Sequence, residues 1–365
     1  MLTGNKGEWS EIYTLLKIIS DKNLFAGDSD LNKIESLIFP IIKILRDESK
    51  GTYEFGYESD LVIVKGTDEE FRIPISLFQE KAVYLLSSLK KTTSSTFSIP
   101  VIESFINSFN CFSLKAKSSI KSDIRIIIHD QRTGTMPKLG FSIKSQLGSA
   151  STLLNAGKTT NFIYKIANKR LNGDEIHLIN SMYISRGEKM HKDIKGRIFK
   201  ILEFSGKLDF ERTENSVFEN NLTLIDSALP EILSEIVYLF FTSGHNKIKE
   251  LVQEISEKNP LGFNLETNHP FYSYKIKRLL TDIALGMTPA KVWTGELDAT
   301  GGYLVVKDNG EILCYHIYNR NEFEDYLLNN TKLETASSTR HDFGSVYLEN
   351  NKLFFKLNLQ IRFLK

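Results

Sequence analysis

Two cysteines in 365 residues, Cys111 and Cys314, are too few and too far apart to staple a fold or frame a zinc site. They read as unpaired thiols of a reducing cytosol. Long apolar runs are also missing, and with no stretch of about 18 such residues no membrane-spanning helix is expected. The opening MLTGNKGEWSE lacks the basic, apolar and small-residue succession of a secretory signal, so the expected compartment is the cytoplasm. Neither an internal repeat nor a low-complexity tract is present. What remains is an ordinary globular composition, 41% hydrophobic and 25% charged, long enough for two domains or for one with a large insertion.

One further absence is local. Between Gln131 and Gly173 there is no acidic side chain at all. From Phe112 to Arg170 eleven lysines and arginines stand against Asp123 and Asp130, an excess of nine in a chain whose net charge is only +1. A solvated face normally mixes signs to limit self-repulsion; an acid-free stretch suits a polyanion such as a phosphate backbone.

Periodicity gives a first map. Glu8–Asp21 predicts an amphipathic helix, with Trp9, Ile12, Leu15, Leu16 and Ile19 at three- and four-residue steps. A second helix is expected over Leu31–Arg46, kinked at Pro40. Thr52–Glu58, Asp60–Lys65 and Glu70–Ile75 alternate like a small antiparallel sheet. Leu77–Lys90 returns to helix, and Pro100 opens another that reaches about Phe112. Ile124–Ile128 reads as a buried strand, Gln131–Pro137 as its turn, Leu139–Ser145 as the hairpin return and Thr160–Ile166 as a third strand. Residues 175–287 are mostly helical, with good periods at Met190–Phe204, Ser216–Leu229, Glu231–Phe241, Lys247–Ile255 and Tyr272–Met287. In the tail, Asn309-Gly310 predicts a type I′ hairpin between Tyr303–Lys307 and Glu311–Tyr318. A short helix over Asn321–Asn329 and a closing hairpin from Val346 to Arg362 follow.

The chemistry-bearing residues lie on the central hairpin. Phosphodiester hydrolysis needs a hard divalent cation held by oxygens, a nearby water and a positive charge facing the developing negative one. Asp123 leads one strand, and Lys144 projects from its partner on the same face as Ser142, with Ile143 on the other. Gln146 continues that polar face, either orienting water or touching phosphate. This arrangement resembles the nuclease fold known by its Pro-Asp…Asp/Glu-x-Lys signature. Ser122 replaces the proline and Ser142 the second acid, so another carboxylate must come from elsewhere. Glu8 and Glu11, three residues apart on the opening helix, are the candidates, with Glu11 preferred because it sits a full turn in.

The chain also resembles the HpaII-like type II restriction endonucleases. The likeness is carried by Asn5-Lys-Gly-Glu-Trp-Ser-Glu-Ile-Tyr13, Gly140-Phe-Ser-Ile-Lys-Ser-Gln-Leu-Gly148 and Ser151-Thr-Leu-Leu-Asn-Ala-Gly-Lys-Thr-Thr-Asn-Phe162. Cys314-Tyr-His-Ile-Tyr-Asn-Arg320, Ser338-Thr-Arg-His341 and Leu357-Asn-Leu-Gln-Ile-Arg-Phe363 extend it nearly end to end. The resemblance implies a prokaryotic enzyme that cleaves short palindromic duplex DNA with Mg²⁺, CCGG being the namesake's site. A DNA methyltransferase sharing the target is implied as a functional partner. On this reading Asp123 and Glu11, or Glu8, hold Mg²⁺, Lys144 stabilises the transition state or orients water, and Gln146 assists. Ser149, Thr152, Asn155, Lys158, Thr160 and Asn161 suit contacts to phosphates or base edges, and Arg320, Arg340 and Arg362 suit guanine.

The expected fold is α/β: a mixed sheet around 122–167 with the opening helices (1–173), a helical region (174–287) and a β-rich carboxyl-terminal region (288–365) for DNA recognition. A palindromic target favours a two-fold homodimer, with a monomer nicking one strand at a time as the alternative. The rivals are a DNA-binding protein without nuclease activity and a methyltransferase. The latter lacks its glycine-rich cofactor loop.

Overall fold

The structure is a computed structural model that describes residues 1–115, 122–131 and 133–365; Lys117, Lys121 and Arg132 of the basic run lie outside them. Helix α1 (Lys6–Asp21) starts at a reciprocal cap, in which the Asn5 side chain accepts the Glu8 N–H and the Glu8 carboxylate accepts the Asn5 N–H. Its Trp9, Ile12, Leu15, Leu16 and Ile19 are fully buried, as the helical period requires. Strands β1 (Asn23–Gly27), β2 (Lys33–Glu48), β3 (Gly51–Glu58), β4 (Leu61–Lys65) and β5 (Glu70–Pro74) follow, then helices α2 (Ile75–Lys91) and α3 (Pro100–Asn107). Next come β6 (Ile124–Ile128), β7 (Lys138–Ser145), β8 (Thr152–Leu154) and β9 (Asn161–Ala167).

The expected helix over Leu31–Arg46 is instead the long strand β2. Its apolar residues are too dense to separate a period of 3.6 from a period of 2, and five isoleucines favour the pleated surface. Pro40 marks a change of partner rather than a kink. Up to Pro40 the strand pairs with β1, and from Ile41 onward with β6, so the missing N–H falls at the junction.

The second half alternates helix and strand: α4 (Gly173–Asn180), the hairpin β10 (Tyr183–Arg186) and β11 (Lys189–Lys192), α5 (Ile194–Glu203), β12 (Lys207–Thr213), α6 (Ser216–Ile225), α7 (Leu229–Thr242), α8 (Ile248–Lys258) and α9 (Phe271–Leu285). Helices thus fill most of 175–287 as read, while β10, β11 and β12 are strands where none was expected, β11 taking the start of the helix read over Met190–Phe204. The chain ends with β13 (Gly302–Val306), β14 (Ile312–His316), α10 (Arg320–Asn329), β15 (Thr331–Leu333), β16 (Val346–Glu349), β17 (Lys352–Asn358) and β18 (Ile361–Phe363).

Nine strands form one mixed sheet in the order β1-β14-β13-β7-β6-β2-β3-β4-β5. Three expectations change here. The sheet is not confined to 122–167, because β1–β5 extend it on one side and the late β13–β14 hairpin closes it on the other. β13 lies parallel to β7 and β14 parallel to β1. β9 belongs elsewhere, to a four-stranded sheet β12-β9-β17-β16. The β13–β14 turn is not type I′ either: Gly310 has φ +96° while Asn309 keeps a negative φ, and the Gly310 N–H donates to Lys307 O. The type I′ signature, two positive φ angles, appears instead at Asn350 and Asn351 between β16 and β17.

Burial divides into two clusters. One packs α1, α2 and α3 against the first face of the nine-stranded sheet around Phe55, Phe78 and Ile126. The other joins α5–α10 and the four-stranded sheet to the opposite face through Tyr303, Val305, Leu313 and Tyr315. β13 therefore contributes alternate residues to both cores. Both cysteines are buried and free. Among the described residues no helix is long and apolar enough to cross a membrane.

Candidate active site

The site forms where β6 begins and β7 ends. Gly140 Cα lies so close to Ser122 that a Cβ there would stand 2.7 Å from the serine Oγ. Ser122 thus tucks against Gly140, where any side chain would force it to shift. Asp123 follows directly: its N–H donates to Phe141 O at 2.9 Å, and its Oδ2 accepts the Ile143 N–H at 2.6 Å. One carboxylate oxygen is spent fixing the side chain across the strand pair.

Glu11 approaches from α1, on the side of the sheet where Ile143 and Ser145 point. Burial and the neighbouring Asp123 charge push its pKa up to about 8, against smaller opposing pulls from Arg46 and Lys115. Burial also raises Asp123, partly offset by the Ile143 N–H and by the Lys144 charge. Lys144 is lowered by burial while Asp123 and Glu11 pull it back. Three groups from α1, β6 and β7 therefore share one field. Lys144 and Glu11 lie on opposite faces of β7, and the Glu11 charge still acts on the lysine. The Lys144 Nζ stands 4.9 Å from the centre of the Tyr303 ring. Gln146 is half-buried beside Lys144, its N–H held by Val306 O at 2.8 Å.

Glu8 is differently occupied. Its Oε2 accepts the Asn5 N–H at 2.8 Å and its Oε1 pairs with Lys115 at 2.9 Å, and these two contacts hold its pKa low. Both of its oxygens are engaged in capping and pairing, whereas among the described residues no hydrogen bond holds the Glu11 carboxylate. Among the described residues no group of three His, Cys, Asp or Glu side chains is placed to hold a metal ion.

In front of the site opens a cleft of about 780 Å³ lined by Glu8, Glu11, Ser145, the Leu147–Thr152 loop and Arg362, with Lys6, Lys115 and Lys365 as further cations. Ser149 and Thr152 thus face the cleft, as does Arg362, although its guanidinium already pairs with Glu334 at 2.6 Å and donates to Ala150 O. Asn155 and Lys158 are exposed on the following loop. Two residues of the expected DNA-reading set are interior. Asn161 is fully buried, its amide donating to Glu214 at 2.6 Å and to His341 O, while its Oδ1 accepts from Asn358. Thr160 is buried too, bonded to Gly157 and Asn358. Polar side chains at strand ends look alike in sequence whether they face DNA or lock a loop. Arg320 lies on α10, paired with Glu324 at 2.6 Å, and Arg340 is exposed on the loop before β16. Neither lines the cleft.

Sequence reading singled out neither Lys6 nor Lys115, though both sit inside stretches it marked. It missed Arg46 entirely. This buried guanidinium pairs with Glu48 at 2.8 Å and donates to Ser113 O, underpinning the segment that carries Lys115. The alternation Arg46-x-Glu48 is a strand signal that the helical reading of β2 obscured.

A family model described as HpaII restriction endonuclease matches residues 5–363 of this chain. The chain belongs to the HpaII restriction endonuclease family. It is 52% identical to the type II restriction enzyme HpaII of Haemophilus parainfluenzae, over 99% of each chain. No solved structure matches it. Membership in the HpaII family makes the chain a type II restriction enzyme, a site-specific deoxyribonuclease.

Proposed function

We propose that this restriction enzyme hydrolyses duplex DNA at a short palindrome, with CCGG the candidate, using Mg²⁺ held by Asp123 and Glu11 in a variant of the Pro-Asp…Asp/Glu-x-Lys nuclease site. The observation that supports the reading is the mutual electrostatic influence of Glu11, Asp123 and Lys144, with Glu11 opening on the basic cleft. The donor set fits the metal. Two carboxylates pushed toward protonation by burial and by each other gain from a hard cation between them, and Mg²⁺ commonly takes one or two carboxylates together with waters and phosphate oxygens. When bound, the ion supplies Lewis-acid polarisation of the scissile phosphate and a more acidic water.

The residues supply the rest. Asp123, fixed by the Ile143 N–H, sets one ligand direction, and Glu11 supplies the carboxylate that Ser142 cannot. Lys144 faces the charge that develops on the phosphoryl oxygens. Gln146 orients the attacking water or holds the phosphate. Ser149, Thr152 and Lys158 with Lys6 and Lys115 guide the backbone into the cleft. Arg362 is the arginine best placed for a base edge. A palindrome is met by two copies of the chain, and a methyltransferase of the same specificity protects resident DNA.

Plasmid digestion in Mg²⁺ followed by sequencing of the fragment ends tests this. Asp123→Ala and Lys144→Ala should lose at least about 10²-fold in cleavage rate while retaining DNA binding in Ca²⁺. Cleavage by either variant at the wild-type rate would end the proposal, and fragment ends at any sequence other than CCGG would replace the target.

A further inference from the structure

We infer that the Tyr303 ring is the surface against which the Lys144 ammonium is held, making Tyr303 a positioning residue for cleavage; the catalytic part of this inference rests on the role proposed for Lys144.

The juxtaposition is built by strand register. In the parallel pair β7·β13, Ser142 lies beside Tyr303 and Lys144 beside Val305, so Tyr303 and Lys144 are diagonal neighbours on one sheet face. The Nζ stands 4.9 Å from the ring centre. The ring itself is immobilised: Tyr303 is buried, its hydroxyl donates to Ala284 O at 3.2 Å, and Phe323 packs edge-on at 5.4 Å.

The chemistry explains why a ring suits this position. Among the described residues no carboxylate comes within ion-pair distance of the Lys144 Nζ. A buried ammonium without a partner tends to lose its proton. An adjacent carboxylate would keep the charge but cancel its field, and would compete with the phosphate for the amine. An aromatic face attracts the cation through its quadrupole while adding no net charge. It also takes no fixed hydrogen bond, so the three N–H donors remain available to phosphate or water. The ring therefore adds to the pull of Asp123 and Glu11 on the ammonium while leaving its donors uncommitted.

The test replaces Tyr303 by phenylalanine and by mono-, di- and trifluorophenylalanine, which keep the ring's shape and progressively weaken its face. Single-turnover cleavage in Mg²⁺, duplex affinity in Ca²⁺ and thermal unfolding are measured for each. Tyr303→Phe should stay within about threefold of wild type, and the fluorinated series should fall in graded steps to roughly a tenth of the Phe rate, with affinity and melting unchanged. A second reading needs no catalysis. The Lys144 Hε protons should show the upfield ring-current shift of a group above an aromatic face, and Tyr303→Leu should abolish it. Ordinary Hε shifts in the wild type, or rates flat across the fluorinated series, overturn the inference. Cleavage surviving Lys144→Ala would instead remove the role of the lysine, and the ring-current result would then decide the contact alone.

Discussion

The Glu11→Gln substitution should make this protein more stable at alkaline pH, and the size of the effect follows from the site. An acid raised from 4.5 to about 8 favours folding only while it stays protonated. Its contribution is complete below pH 4.5, where both states carry the proton, and is lost progressively as pH rises toward 8. At about 1.36 kcal/mol per pH unit the full span has a ceiling of about 5 kcal/mol. Glu11 is half-buried and opens on the cleft, so solvent relaxation reduces this to about 2 kcal/mol. Glutamine keeps the shape and never ionises. Urea unfolding without metal should therefore give equal stabilities at pH 5 and a divergence that grows to about 2 kcal/mol in favour of the variant by pH 9. Metal reverses the order. With Glu11 as the proposed ligand, Mg²⁺ would displace its proton, so its affinity should weaken by about tenfold per pH unit below 8, with close to one proton released on binding. Calorimetry in two buffers of different ionisation enthalpy reads that proton directly. Parallel stability curves for wild type and Glu11→Gln between pH 5 and 9, or metal binding with no proton release, would refute the reasoning.

Other outcomes follow from neighbouring contacts. Gly140→Ala should cost about 1–3 kcal/mol of stability and slow cleavage more than it weakens DNA binding, because the displaced Ser122 carries Asp123 with it; an unchanged single-turnover rate would argue against that coupling. Arg46→Met leaves the Glu48 carboxylate buried without its cation and should destabilise by about 3–5 kcal/mol, whereas Arg46→Met with Glu48→Leu should recover much of the loss in a denaturant titration. Asn161→Ala removes an amide that ties Glu214, His341 and Asn358 together; it should lower stability by about 1–3 kcal/mol without altering which sequences are cut, and a changed cleavage pattern on a plasmid would restore it to the DNA-reading set. Lys158→Glu should weaken cognate and random duplexes alike and flatten the dependence of affinity on salt; a loss confined to the cognate duplex would make it a base reader.

The sequence was most legible where local pattern and local pairing coincide. Helix α1 declares itself through its apolar steps, and the β6–β7 hairpin through an isoleucine run, a turn and a return, so Asp123 and Lys144 were found together. Pairings between distant segments left no such mark. β13 and β14 read correctly as a hairpin, but nothing in either strand says that the hairpin adds to β7 and β1 across more than 150 residues. The turn assignment failed for a related reason: Asn-Gly permits two positive φ angles, yet at 309–310 the chain uses one, with Gly310 O accepting the Tyr13 hydroxyl at 2.6 Å. Position along the helix favoured Glu11 over Glu8 but gave no account of what each carboxylate touches. Only the cap at Asn5 and the reach of Lys115 separate the engaged carboxylate from the one left for the cleft.

The late hairpin has a consequence for a chain still emerging from the ribosome. Until residues 302–316 appear, β7 and β1 each keep an open border, and Lys144 has no aromatic wall beside it. A product cut short before that point would contain every proposed metal ligand but a sheet lacking two of its middle strands. On the proposed site, competence to cut would wait for residues 302–316.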